Sequence, residues 1–138
     1  MEGRSLHLIV AQKVLADLGV ESVELGLHFV SAKEMARVHE QFTNIPGSTD
    51  VITFDHGSKP PANLHGEIFI SVEDAMAQAR EFKTTWQSEV ARYVIHGLLH
   101  LLGFDDLEPV ARKKMKQTEN RLVKKMEAQF DLRAIEKK

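Results

Sequence analysis

The sequence predicts an α+β fold, of α/β type, in which a small β-sheet is covered by helices. Three short segments, 23–29, 50–54 and 66–71, show the alternation or the apolar run that is typical of strands. Segments with helical spacing of apolar residues lie between these strands and after them. With 138 residues, 43% of them hydrophobic and 28% charged, the chain suits a single globular domain over 1–138.

The N-terminal part of the chain contains a predicted helix, a strand and a second helix. Apolar residues recur at helical spacing over 5–19, which predicts an amphipathic helix. Residues 23–29 alternate between apolar and polar side chains, which is the period of a half-buried strand. Ser31 and Glu34 form a capping box, which predicts a helix that begins there and runs through Phe42.

Loops are predicted on both sides of the second strand. Residues 43–49 contain Asn, Pro, Gly and Ser, and they lead into the strand at 50–54. Residues 55–63 contain one glycine and two prolines, which predicts a longer, mobile loop before the strand at 66–71. Lys59 lies in that loop and is a candidate contact for a phosphate group of a substrate.

Three helices are predicted in the remainder of the chain. Ser71 suits the N-cap of the first, because acidic residues follow it in the first turn. The second covers about 86–102, and the third begins near Pro109 and ends near Ala128. Residues 130–138 are predicted to form a frayed tail.

His96 and His100 predict a divalent-metal site on the second of these helices. They lie one helical turn apart on one face, so that two imidazole nitrogens can converge on one ion. Gly103 suits a left-handed residue that ends the helix, and the turn after it makes Asp106 a geometrically feasible third ligand. Three protein ligands and an open position are typical of catalytic zinc. The alternative is a pair of hydrogen-bonded histidines within a leucine-rich helix.

Two neighbouring features bear on this metal-site prediction. His56 and His65 flank the loop at 55–63, and either could approach a metal, although surface histidines in loops are more often solvated. The spacing H-x-x-x-H-x-x-G-x-x-D also resembles metzincin-like proteases, which need a glutamate directly after the first histidine as general base. Gly97 occupies that position here, which argues against peptide hydrolysis.

With Gly97 in place, residues 96–106 resemble the signature H-G-x-L-H-L-x-G-[YF]-D-H of the YbeY family of bacterial metal-dependent endoribonucleases. Every fixed position matches except the last, where Asp106 replaces a third histidine. Residues 49–54 and 66–71 resemble the family's T-[DN]-V-L-S-F and G-D-I-x-I-S strands, in the same order. The resemblance extends over roughly residues 23–120.

This resemblance implies a mixed sheet with the metal-binding helix packed behind it. It also implies a zinc-dependent endoribonuclease that acts on rRNA in ribosome biogenesis, rRNA maturation and quality control. His96, His100 and Asp106 would hold one Zn²⁺, although two imidazoles and a carboxylate also accommodate nickel or iron. The implied protein partners are a ribosomal protein and a ribosome-associated GTPase, whereas DNA and membrane partners are not expected. The general base is not identified, and Glu89 and Asp105 are its candidates.

One departure from the family concerns substrate binding. Members carry an arginine in the loop before the T-D-V strand, and a gap-free alignment places Thr43 there. Threonine cannot clamp a phosphate through a charged fork. The alternative function is therefore a ribosome-assembly binding factor that cleaves RNA weakly or not at all and in which the metal is chiefly structural.

The charge of the chain is unevenly distributed although the net charge is only −2. Residues 108–138 hold ten basic and five acidic side chains, whereas residues 1–107 hold eight basic and fifteen acidic ones. The basic part could lie along phosphate groups, or it could be an ordinary solvated helix face. The chain has no cysteine and no apolar run that approaches a membrane span, so we expect a cytoplasmic protein.

Overall fold

The computed structural model describes residues 3–43, 50–104 and 107–129. Within these ranges the chain forms five helices and three strands, in the order that the sequence predicts. The helices are α1 (Gly3–Asp17), α2 (Ala32–Thr43), α3 (Val72–Phe82), α4 (Trp86–Leu101) and α5 (Pro109–Gln129), and the strands are β1 (Ser22–Val30), β2 (Val51–Asp55) and β3 (Asn63–Ser71).

The three strands form one mixed sheet in the order β1-β3-β2. β1 pairs with β3 in parallel, with Leu27 opposite Ile68, and β2 pairs with β3 antiparallel, with Thr53 opposite the same isoleucine. The predicted α+β fold is therefore confirmed, and so is the mixed sheet that the family resemblance implies. Because side chains alternate along a strand, one face of β3 points into the core and the other points away from it.

Helix α4 lies at the centre of the packing. It contacts the sheet through β2 and β3 and is flanked by α1, α3 and α5. Val90, Val94 and Leu98 of α4 are fully buried, whereas His96 and His100 are only half-buried. The apolar faces thus hold α4 in one orientation, and that orientation turns both histidines toward an open side of the core.

A glycine allows α4 to approach the sheet closely directly beside the first histidine. A Cβ atom built on Gly97 would lie 2.7 Å from Cδ1 of Ile68, which is fully buried in β3. That distance is shorter than van der Waals contact between carbon atoms. The side chain of a glutamate at this position would clash with Ile68 of β3. Gly97 is therefore needed for packing, in addition to being evidence against a protease.

We predict that Gly97→Ala lowers the free energy of unfolding by about 1 to 2 kcal/mol. Overpacking a core costs about 1–3 kcal/mol, whereas the higher helix propensity of alanine returns up to about 1 kcal/mol. Urea unfolding measures the change. Adding Ile68→Val, which removes the nearest methyl group, should recover part of the loss in the double variant. A Gly97→Ala protein as stable as the wild type would contradict the close approach.

The predicted loop at 55–63 differs from the structure. β3 begins at Asn63 rather than at residue 66, and the predicted long loop is a hydrogen-bonded hairpin. The Asp55 carboxylate accepts hydrogen bonds from the backbone N–H groups of Gly57 and Ser58, at 3.1 and 2.7 Å, and closes the turn. The backbones of Lys59 and Asn63 then pair with each other, which extends the strand ladder.

The predicted ends of the helices agree closely with the structure. The Ser71 hydroxyl accepts a hydrogen bond from the backbone N–H of Asp74, as predicted for the N-cap of α3. Thr43 is the last residue of α2 rather than the first residue of a loop. Residues 44–49 of the predicted loop, the two aspartates at 105–106 and the predicted tail at 130–138 lie outside the described residues. No helix in the described ranges is both long enough and apolar enough to cross a membrane.

Candidate metal centre and cleft

His96 and His100 meet at the exposed side of α4. Their Nε2 atoms lie 3.1 Å apart, and their ring centroids are separated by 4.7 Å with an angle of 79° between the planes. This arrangement follows from their spacing, because residues four apart on a helix lie one above the other on the same face. The two imidazoles therefore present nitrogen atoms to one shared point.

Glu119 of α5 holds the other edge of the His96 ring. Only 3% of the glutamate is exposed, and its Oε1 accepts a hydrogen bond from His96 Nδ1 at 2.7 Å. An ionised carboxylate can only accept hydrogen bonds, so the proton resides on Nδ1. The Nε2 atom of a neutral His96 ring then directs its lone pair toward His100.

Two cations stabilise the ionised form of Glu119. Its Oε2 accepts hydrogen bonds from Arg92 Nη1 at 2.7 Å and from Lys116 Nζ at 3.1 Å. Burial raises the pKa of Glu119, but the hydrogen bonds from His96, Arg92 and Lys116 outweigh it and lower the pKa to about 2. Arg92 Nη1 also donates to Asn120 Oδ1 at 2.7 Å, which ties α4 to α5.

The geometry of the histidine pair fits a metal ion. Two nitrogens that bind one zinc ion tetrahedrally at about 2.0–2.1 Å are separated by about 3.4 Å, close to the separation of the two Nε2 atoms. Metal-binding histidines typically donate their second ring N–H to a carboxylate, as His96 does to Glu119. Among the described residues no group of three His, Asp or Glu side chains suits a metal. The predicted third ligand, Asp106, lies outside them.

Two adjoining pockets meet at His96. The larger has a volume of about 500 Å³, the smaller about 260 Å³, and both are lined by Val51 and His96. The smaller pocket also includes Thr53, Asp55 and His100. We term the larger pocket the cleft. It is bordered by charged side chains from three parts of the chain: Asp50, Glu89, Arg92, Lys116 and Glu119. A substrate in the cleft would therefore lie beside His96.

The other predicted site residues lie in different parts of the structure. Glu89 is buried, lines the cleft and accepts a hydrogen bond from Thr84 Oγ1 at 2.8 Å. Its predicted proton-accepting role stays a prediction. Lys59 is exposed in the β2–β3 hairpin and lines neither pocket, and Thr43 lies at the C-terminal end of α2. The structure thus brings Glu89 and His96 to one cleft and leaves Lys59 outside it.

The two histidines beside the hairpin lie away from the histidine pair. His56 Nε2 donates to Glu67 Oε2 at 2.7 Å, and His65 Nε2 lies 3.5 Å from a carboxylate oxygen of Glu24. Glu67 is flanked along β3 by the core-facing residues Gly66 and Ile68, so its side chain lies on the opposite face of the sheet from α4. Neither histidine therefore joins His96.

Sequence reasoning missed Glu119. The signal was present, because the buried stripe of α5 contains four apolar residues and this one acidic residue: Met115, Glu119, Leu122, Val123 and Met126. A carboxylate at a core position of an amphipathic helix requires a buried partner. Its partner lies 23 residues away in the chain, so spacing alone could not identify it.

The fold and the site define a small α+β protein in which a carboxylate-oriented histidine pair lies beside a cleft bordered by charged side chains. The model of the Endoribonuclease YbeY family matches residues 5–127. A solution structure from Thermotoga maritima has a TM-score of 0.73 and 26% sequence identity, and the match covers 97% of this chain and 89% of that one.

Three proteins named Endoribonuclease YbeY are similar in sequence. The one from Myxococcus xanthus is 37% identical over 118 residues, which is 82% of this chain but 40% of that protein. The one from Endomicrobium trichonymphae is 34% identical over 116 residues, 84% of this chain and 80% of its own length. The one from Salinibacter ruber is 30% identical over 118 residues, which is 80% of this chain and 75% of that protein. The chain belongs to the Endoribonuclease YbeY family.

Proposed function

We propose that this protein is a zinc-dependent endoribonuclease that acts on rRNA in the cytoplasm, in maturation of the ribosome and in its quality control. Family membership supports RNA cleavage. The observation that carries the metal dependence is the pair of Nε2 atoms 3.1 Å apart, with the His96 ring held by Glu119. His96 and His100 would bind the ion, with Asp106 as the third ligand.

The described residues have distinct tasks in this proposal. The ion, when bound, supplies the Lewis acidity that activates water and polarises a phosphate oxygen. Glu119 keeps the proton of His96 on Nδ1, so that Nε2 stays available as a ligand. Arg92 and Lys116 keep Glu119 ionised and border the cleft in which the RNA strand would lie.

Removal of the metal tests the proposal directly. The protein is purified without chelator, its metal content is determined, and cleavage of a structured rRNA fragment is followed before and after dialysis against a chelator. We expect about one zinc per chain and a fall in cleavage of at least about 100-fold after removal, since metal catalysis contributes several kcal/mol. Added Zn²⁺ should restore cleavage, and Ni²⁺ and Fe²⁺ are compared with it. Undiminished cleavage by metal-free protein would refute the proposal.

A second candidate is a metal-containing ribosome-assembly factor with weak or no cleavage. The observation that favours it is Thr43, because no charged fork is available at that position to hold a phosphate. In either case a ribosomal protein and a ribosome-associated GTPase are proposed as partners. If Thr43→Arg raises cleavage at least about 10-fold with unchanged RNA binding, while Thr43→Lys does not, the natural protein is closer to the assembly factor.

A further inference from the structure

The solvent-exposed side of α5 is strongly basic. Its buried stripe packs against the core, and the remaining surface carries exposed lysines and arginines. We term the following residues the α5 basic face: Lys113, Lys116, Arg121 and Lys124. From the first to the last of them the helix rises about 16 Å.

The charge of this face is largely uncompensated. Within the described part of the chain, Lys113, Arg121 and Lys124 form no ion pair with a carboxylate. By contrast, the neighbouring Lys125 forms an ion pair with Asp17 of α1, with its Nζ 2.9 Å from Oδ2 of the aspartate. Exposed lysine and arginine side chains without a local counterion attract a polyanion, because binding releases the counterions condensed on it.

The α5 basic face is continuous with the cleft. Lys116 belongs to both, because its Nζ donates to Glu119 and it lines the cleft, and Asn120 one turn further also lines the cleft. Lys113 and Lys124 precede and follow these two residues along the same edge of the helix. A strand that leaves the cleft beside His96 would therefore cross this edge.

We propose that the α5 basic face binds the phosphate backbone of the RNA strand whose neighbouring segment occupies the cleft. This inference rests on the proposed function and adds the surface that holds the substrate. Phosphate contacts position a strand without reading its sequence. The face would therefore set how far from His96 the strand enters the cleft, and it would bind different RNA sequences similarly.

The test uses the full chain in which Lys113, Arg121 and Lys124 are replaced by glutamine. A matched control variant replaces Lys13, Lys33 and Arg37 by glutamine, which removes the same charge from exposed positions of α1 and α2. The affinity for a fluorescent single-stranded RNA is measured with chelator present, so that no cleavage occurs, over a range of salt concentrations. Urea unfolding verifies that both variants are folded.

We expect the α5 variant to bind RNA at least about 10-fold more weakly at low salt. Its plot of log affinity against log salt should also be shallower by about 2, because each phosphate contact on a single strand contributes about 0.7. The control variant should keep the wild-type slope. An unchanged slope in the α5 variant overturns the inference, and so does an equal loss in both variants, which would reflect net charge alone.

Polyglutamate as a second probe distinguishes RNA from an acidic protein partner. If polyglutamate binds as tightly as RNA and responds equally to the α5 substitutions, the proposed RNA surface is wrong. Because binding is measured without cleavage, the two proposals can fail separately. A protein that never cleaves RNA but shows the expected change in slope would contradict only the proposed function.

Discussion

Under the proposed function, His100→Ala is expected to abolish zinc binding and to lower RNA cleavage by about 1000-fold. The substitution leaves the Nε2 atom of His96 without the imidazole that faces it at 3.1 Å. A metal that contributes several kcal/mol to stabilising the transition state corresponds to roughly three orders of magnitude in rate. Metal content and cleavage of the same rRNA fragment are measured on the same sample. The fold should persist, because the His100 side chain is only half-buried.

His56→Ala is the matched control for this variant. His56 is also partly exposed and bonded to a carboxylate, but it lies at the hairpin on the opposite face of the sheet from α4. It should therefore retain both the metal and wild-type cleavage. If His100→Ala keeps stoichiometric metal, the histidine pair is not the metal site, whatever happens to the activity.

Substitution of Glu119 is expected to weaken metal binding without removing either predicted histidine ligand. In Glu119→Gln the side chain keeps its size but loses the charge that fixes the proton on His96 Nδ1. Loss of a carboxylate that orients a metal-bound histidine typically costs about 10–100-fold in metal affinity. Competition with a chromogenic chelator measures the zinc affinity, and this readout does not depend on catalysis.

Glu119→Ala should have the additional effect of destabilising the metal-free protein by about 2–3 kcal/mol. The alanine leaves the partly buried Arg92 guanidinium without its carboxylate, and removal of one partner of a buried pair is costly. The value is below that of a fully buried pair, because 28% of the Arg92 side chain is exposed. Urea unfolding in the presence of chelator measures the change.

Glu127→Gln is the matched control for the glutamine variant of Glu119. Glu127 lies two turns further along α5 and also connects α5 to α4, since its Oε2 accepts a hydrogen bond from Ser88 Oγ at 2.6 Å. It does not contact His96, so its substitution should leave the zinc affinity unchanged. Equal zinc affinities in Glu119→Gln and the wild type would show that the carboxylate does not position the ligand.

The sequence by itself determined the order and type of the elements and the identity of the histidine pair. These features depend on residues that are close in the chain: the helical spacing of apolar side chains, the cap at Ser71, and two histidines one turn apart. The α+β fold and the family were therefore predictable. The hairpin at residues 55–63 was predicted less well, because the side-chain turn at Asp55 that closes it was not recognised.

Only the tertiary structure decided how the site is built around that pair. Glu119 meets His96 because α5 folds back against α4, and Gly97 is required because α4 lies directly on Ile68 of β3. The parallel pairing of β1 with β3 likewise joins segments that are far apart in the chain. Such contacts depend on which faces are buried together, and no local pattern of residues specifies their partners. For that reason the two histidines could be read from the sequence, whereas the carboxylate that orients one of them could not.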